Sequence, residues 1–583
     1  MFFEVQFSSM WQQLQHKSTQ IAALFCLLCG LLPFQPLLAQ DLQDTTEVDA
    51  APRPLINLQY FSSGANPAQG SIFWFGKVER GANYGDVRIA YDDKALVFYL
   101  HVFDRELAYD TGANAEKFLQ WDGATLYLDP QADLASPLAN SSVRFDAQIN
   151  HWEPRTAYQR SFRWQKGAWK TTSAAFDTSV GYRGDFNVVG DDRGWYLRFS
   201  VPFTSLGLAG APSQGTIWRM ALALHDRDEV QGSALPDQVW PADMQTGQPQ
   251  SWGHIRFGVP TYQAPNVAAP QTVSIRNGVD GVSAPDAHVG GHSICGDPFY
   301  KDYFGQWGSA NYSGYTQINI QNQWDVADWP CFSKYYVTFP LNTLPADASI
   351  VKATLTMQMF GHAGLPGEAK RSYMQVSRVA TDWSEQSITW NNAPPVLENY
   401  SWTWVEPFKT GQKNATYTWD LSRAVADAQA ARQPLRLVIY SLEGDQSSGK
   451  YFWSADAGAG VAPVLDITWG FKGYTFSANP LKQVIQAGGK AAYELQIASL
   501  RAGESVSLEA GASNPPGLEV SISPQRINAP GGRATVTMKD QSDSQAKRVY
   551  VVPITARKGE ETRTEEMLVF VNGEVLFMPS LSR

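Results

Sequence analysis

The chain has 583 residues, more than a single hydrophobic core fills, so two or three domains are expected. Hydrophobic residues at 44% and charged residues at 17% exclude wholesale disorder. A net charge of −10 with no basic run argues against a nucleic-acid partner, because phosphate backbones are repelled. The first element is IAALFCLLCGLL, Ile21 to Leu32, apolar and uncharged, preceded by Lys17 and followed by Ala39 in LLA. Residues 1–39 read as an export signal cleaved before Gln40, since the apolar run is short of the ~20 residues a membrane span needs. A secreted protein with no membrane span in its mature chain is therefore expected. Residues 40–54 are acidic and read as a flexible leader.

The first module is expected over residues 55–260. Alternation of apolar and polar residues marks strands at Asp86 to Asp92, Ala95 to Asp104, Ala124 to Pro130, Gly194 to Phe203 and Ile217 to Asp228. Residues 261–272 carry two prolines and little bulk, which reads as a linker. A second module follows over 273–470, with strands at Tyr335 to Leu341, Ile350 to Phe360, Ser372 to Ala380, Pro434 to Leu442 and Val464 to Gly470. Its one helical segment is Leu421 to Arg432, rich in Ala and preceded by Asp420 at a cap position. Residues 471–583 hold six or seven short strands with turns such as PPG and PGG, the spacing of an immunoglobulin-like sandwich. The expected fold class is all-β: three tandem antiparallel β-sandwich modules after a signal peptide.

Of the four cysteines, Cys26 and Cys29 leave with the signal. Cys295 and Cys331 remain, an even pair in an oxidising setting, and a disulfide between them is expected. Metal chemistry has thin support. His288 and His292 have the HxxxH spacing, but Gly290 and Gly291 break the helix that spacing needs. No cofactor is expected; the acidic turns Asp92-Asp93 and Asp191-Asp192 leave a structural calcium open beside their commoner role as solvated turns.

Each of the three modules carries a family resemblance. LPADASIVKATLTMQ (Leu344 to Gln358), VSRVATDWSEQSITWNNAP (Val376 to Pro394), TWDLSRAV (Thr418 to Val425), YFWSADAG (Tyr451 to Gly458) and APVLDITW (Ala462 to Trp469) closely resemble the DNRLRE domain, carbohydrate-binding module family 96. That resemblance implies a β-sandwich, an extracellular setting and polysaccharide binding, with alginate a ligand of some members. The family usually carries Ser-Arg-Glu near its end, where this chain has Ser454, Ala455 and Asp456. NYGDVRIAYDDKALVFYLHVFDRELAYD (Asn83 to Asp110), QWDGATLYLDP (Gln120 to Pro130) and SWGHIRFG (Ser251 to Gly258) resemble a family 9-type carbohydrate-binding domain of the DOMON superfamily. Family 9 binders clamp a sugar between two Trp and use a Glu three residues after a conserved Asp. Trp121 adjoins that Asp, here Asp122, and Thr125 occupies the Glu position. The third module resembles bacterial immunoglobulin-like spacers.

Sugar rings stack on aromatic faces while polar neighbours bond the hydroxyls. The candidate carbohydrate-binding residues are Trp121 with Asp122 in module one, and Trp307, Tyr312 and Tyr315 in the Gly/Ser/Asn-rich stretch GQWGSANYSGY of module two, with Trp402 and Trp404 in a second segment. Each of these rings has core packing as the commoner alternative, and Trp383 and Trp390 are expected in the core. No GxSxG, HExxH or phosphate loop is present, so no catalytic residue is assigned. The expectation is a secreted multi-module polysaccharide-binding protein without its own catalytic centre. The rival readings are an extracellular glycoside hydrolase or polysaccharide lyase, which a clustered acid pair in a long cleft would favour, and a structural or adhesive surface protein, which burial of Trp121 and Trp307 would favour.

Overall fold

The computed structural model describes residues 52–573 except 111, 113–117, 132, 153, 191, 266, 292–301, 324–331, 499, 501, 502 and 543. The export signal, most of the leader and both Cys295 and Cys331 lie outside the described residues, as do His292 and Asp191. Strand makes up 51% and helix 7%, so the all-β class holds.

In module one, a five-stranded antiparallel sheet runs in the order Ser71–Glu79, Ala82–Tyr91, Ala95–Phe103, Gly194–Pro202, Asp177–Arg183. Against it lies Leu55–Tyr60, Gly253–Phe257, Ile217–His225, Gly123–Asp129, Val143–Gln148, Gln159–Gln165 and Ala168–Thr172. The period of two is visible where Leu96, Phe98, Leu100 and Val102 all enter the core from one strand. Leu55–Tyr60 breaks the antiparallel rule: it pairs in parallel with Gly253–Phe257 and, at its end, with Ala82–Tyr91.

Module two stacks Asp286–Gly290, Phe332–Phe339, Leu435–Ser441, Ser372–Val379 and Val396–Val405 in one antiparallel row. Its second sheet centres on Ser349–His362, flanked by Val464–Lys472, Ala415–Asp420 and Lys450–Trp453. The stretch read as a linker is structured in its second half, because Val267–Arg276 is a strand on Val464–Lys472. The helix Ser422–Ala430 forms as expected, with Asp420 Oδ1 accepting from the Ser422 N–H at 2.9 Å. The third module pairs a four-stranded with a five-stranded sheet, and Lys490–Ala498 alternates buried and exposed residues along its length.

Modules one and two share one core. Ala82–Tyr91 is buried at nine of its ten positions, because its second face packs on module two rather than on water. Val438, Tyr440 and Leu442 of module two belong to the same apolar cluster as Val87 and Leu100. Several polar groups at this seam are matched across it. Lys334 Nζ donates to Tyr84 Oη at 2.7 Å and stands 3.5 Å from the Trp390 ring centroid and 4.1 Å from that of Trp74. Burial holds this ammonium well below the usual lysine range. Asn322 donates to Asp86 at 2.8 Å, and Gln375 bonds both the N–H and the carbonyl of Ile72. A buried polar group left unmatched costs about 1–3 kcal/mol, so this set of pairs fixes how the two modules meet.

Candidate functional site

A sugar platform needs a ring with an open face, and the seven candidates divide sharply on that criterion. Trp307 is fully buried, packed between Tyr303 at 5.3 Å and Trp390 at 4.9 Å, and offers no face to a ligand. Trp121 is half-buried under the Arg227 guanidinium, 4.5 Å from its ring centroid. Asp122 is fully buried; its carboxylate accepts from the N–H groups of Ala108 at 2.7 Å and Arg227 at 2.9 Å, which ties two loops together. Thr125 is also buried, bonded to Asp146 at 2.9 Å and His225 at 2.8 Å. Trp402 is half-buried, with its Nε1 donating to Gln375. Trp404 is half-buried between Tyr373, at 4.7 Å, and the Arg371 guanidinium, at 3.8 Å.

Tyr315 differs: it is 45% exposed. Its position follows from short-range chemistry. Asn311 accepts from the Ser313 N–H and donates to the carbonyls of Glu385 and Ile388 at 2.9 and 2.7 Å, which holds the loop against residues 385–388. Gly314 takes φ +74°, a conformation that disfavours any side chain. Tyr312, buried, stacks on His288 at 4.6 Å and 24°, and Tyr315 meets both rings at 5.7 Å. The three rings form one rigid group with Tyr315 on its open side.

Three carboxylates converge beside them. Asp286 and His288 lie two apart on one strand and share a face. Asp286 Oδ2 accepts from Tyr335 Oη at 2.6 Å and from the Ala455 N–H at 2.7 Å. Glu385 accepts from the Gly314 N–H and shares a hydrogen bond with Asp456. One oxygen each from Asp286, Glu385 and Asp456 lies within 4.8 Å of the others, and exposure rises in that order from buried to open. Burial pushes the Asp286 carboxyl up to about 7, against the pull of its two donors. Glu385 is raised by burial and by Asp456. The sequence reading selected Tyr312 and Tyr315 but none of these acids. The available signal was positional: Glu385 and Asp456 both stand inside the stretches that carry the family 96 resemblance.

A second acidic group sits in module one, where Asp104, Asp226 and Asp228 bring oxygens within 4.8 Å of one another. Asp104 accepts from Trp195 Nε1 at 2.8 Å and from the Glu106 N–H at 3.1 Å. Burial raises Asp104 well above the usual range and takes Asp226 to about 7. The acidic turns named for calcium have other duties. Asp92 accepts from the N–H groups of Ala65, Lys94 and Ala95, Asp93 from the Tyr60 hydroxyl, and Asp192 from the N–H groups of Leu107 and Asp185. Among the described residues, no helix is long and apolar enough to cross a membrane.

Two solved structures of a family 9 carbohydrate-binding module from Caldicellulosiruptor kristjanssonii, one in complex with cellotriose and one with glucose, are similar to this chain. Each is 16% identical over 36% of this chain, covering 95% and 100% of its own length, with a TM-score of 0.25. No curated protein sequence matches the chain. Residues 303–469, which hold Tyr312, Tyr315, Glu385 and Asp456, match the model of carbohydrate-binding module family 96. The second module of this protein is thus, over residues 303–469, similar to carbohydrate-binding module family 96.

Proposed function

We propose that this protein is secreted and holds extracellular polysaccharide at the Tyr315 surface of module two, without chemistry of its own. The observation that carries this reading is an exposed ring backed by two further rings and flanked by carboxylates, with Tyr312, Tyr315, Glu385 and Asp456 inside the segment matching a carbohydrate-binding family. Module one, with Trp121 capped and Asp122 engaged by backbone, acts in this reading as a partner that rigidifies module two. Affinity electrophoresis of the mature chain against a polysaccharide panel tests the proposal; retardation by none of them removes it. For export, mass spectrometry of secreted material is expected to find a mature start near Gln40 and a Cys295–Cys331 disulfide, which the chain-entropy account values at ~3–4 kcal/mol.

A hydrolase is the second reading, since a carboxyl raised to about 7 beside another acid is the pairing a glycosidase uses. Against it, Asp286 is buried with one oxygen committed to two donors. Turnover of a polymer by the purified chain would favour it. For module one we propose a structural calcium at Asp104, Asp226 and Asp228, whose oxygen spacing suits Ca–O distances of about 2.3–2.6 Å.

A further inference from the structure

We infer that module one carries a sugar site of its own, a pocket lined by Tyr60 at the opposite end of its sandwich from Trp121, which takes a pyranose unit of the polymer. The inference goes beyond the reading above, which places the glycan on module two. The pocket measures about 580 Å³, within the ~300–1,000 Å³ usual for small-ligand sites. It lies where Leu55–Tyr60 and Ala82–Tyr91 end, beside the turn at Asp93 and the segments 211–214 and 258–259. Asp93 and Asp104 flank Ala95–Phe103, nine residues that span about 30 Å, and Asp104 is the end whose charge acts on Asp122, next to Trp121.

The ring and the walls carry the inference. Tyr60 is 46% exposed, yet it is held in place. Its ring rests on buried Tyr91 at 5.5 Å, which in turn meets Phe257 edge-on at 5.0 Å, and its hydroxyl donates to Asp93 at 2.8 Å. The turn is pinned as well, because Asp92 accepts from the N–H groups of Ala65, Lys94 and Ala95 at 2.7–2.9 Å. An aromatic face fixed in advance loses little freedom when a sugar ring stacks on it. Asp93 and Gln214 stand on the walls beside that face. The carboxylate accepts hydrogen bonds and the amide both donates and accepts, so together they match the hydroxyls of a pyranose. A wholly apolar ligand would leave both without partners. Gln214 reaches its place because Gly258, at φ +84°, has no side chain to run into it. Gln59 closes the wall toward module two. It donates to the Gly70 carbonyl at 2.9 Å and accepts from the Tyr373 hydroxyl at 3.2 Å, so module two props this side of the pocket. A sugar held here and one at Tyr315 would sit on modules that share a core, which raises the effective concentration of the second contact along one polymer.

The test is affinity electrophoresis of the full mature chain on laminarin, xylan, glucomannan and alginate, followed by hydroxyl-radical footprinting on each polymer that holds it. Tyr60→Ala is expected to weaken retention about three- to tenfold, the worth of one stacked ring. Tyr60→Phe keeps the face and should retain most of the affinity. In the parent chain, saturating polymer should protect the Tyr60 side chain from oxidation, a readout that needs no variant to fold. Unchanged retention of Tyr60→Ala, or an unprotected Tyr60 on a polymer that is held, overturns the inference and leaves the module-two reading standing. Protection at Tyr60 together with a Tyr315→Ala variant that binds like the parent supports the inference and overturns that reading instead. Retention on none of the four polymers removes both.

Discussion

Two groups of three carboxylates meet different environments in this molecule. In module one, Asp104 and Asp226 are buried, and Asp104 is engaged by Trp195 and by backbone. In module two, the trio runs from buried Asp286 to exposed Asp456, with Tyr315 open beside it. The difference lies in the neighbours. A walled set of carboxylates costs stability unless a cation neutralises it, whereas one that opens to solvent can spend its acceptors on a ligand. The same contrast separates Trp307 from Tyr315, eight residues apart in one loop, the first fully buried and the second 45% exposed.

The largest effect expected is on that ring pair. Trp307→Ala empties a space lined by Tyr303 and Trp390 and should cost about 3–5 kcal/mol in denaturant unfolding. Glycan affinity per folded molecule should stay unchanged; a specific loss of binding in a fully stable variant would reverse the assignment of Trp307 to the core. Next is calcium. About 1 mM calcium is expected to raise Tm by several degrees, on the order of 2–3 kcal/mol for a ligand near a hundred times its Kd. Asp226→Asn should abolish the rise and Asp456→Asn should leave it intact. A rise lost with Asp456→Asn instead would exchange the roles of the two groups.

Many strands were legible from the alternation of their residue types. Lys490–Ala498 alternates cleanly, and the runs at Ala95, Gly194 and Ile217 became strands beginning at the expected residues. The shared core was not legible, because its signature is charged residues in unexpected places. Asp86, Arg88 and Lys334 look like surface residues in sequence, yet each is about 1% exposed at the seam. The site was half legible. A Gly/Ser/Asn-rich stretch with aromatics singled out Tyr312 and Tyr315, but Asp286, Glu385 and Asp456 come from three distant strand ends and loops that only the sandwich brings together. No local periodicity encodes that meeting.

A smaller effect concerns pH. The Asp286 carboxyl, at about 7 when folded against ~3.9 when unfolded, binds its proton more tightly in the native state. Its contribution therefore favours folding at acidic pH and is lost as pH rises from about 4 through 7. Asp286→Asn keeps an acceptor for Tyr335 Oη and the Ala455 N–H while removing the charge beside Glu385 and Asp456. The variant is expected to be more stable than the parent by about 1–3 kcal/mol at pH 8 and by little at pH 5. Urea unfolding at the two pH values checks this, and a variant less stable at both would show that Asp286 is held ionised by its donors.

The smallest expected change in stability accompanies the largest expected change in binding. Tyr315 is exposed, and its ring contacts at 5.7 Å to His288 and Tyr312 are edge-on rather than core packing. Truncation to Ala removes the buried half of the side chain, so the unfolding free energy should fall by about 1 kcal/mol. The ring is nonetheless the only one of the seven candidates classed as exposed, and stacking on it cannot be replaced by Trp402 or Trp404, whose faces are partly covered by their neighbours. Tyr315→Phe keeps the face and should retain most affinity; Tyr315→Ala should lose it. Comparing the two separates stacking from hydrogen bonding by the hydroxyl. Equal losses in both would move recognition from the ring to its Oη, and equal retention in both would move the glycan to another surface of the module.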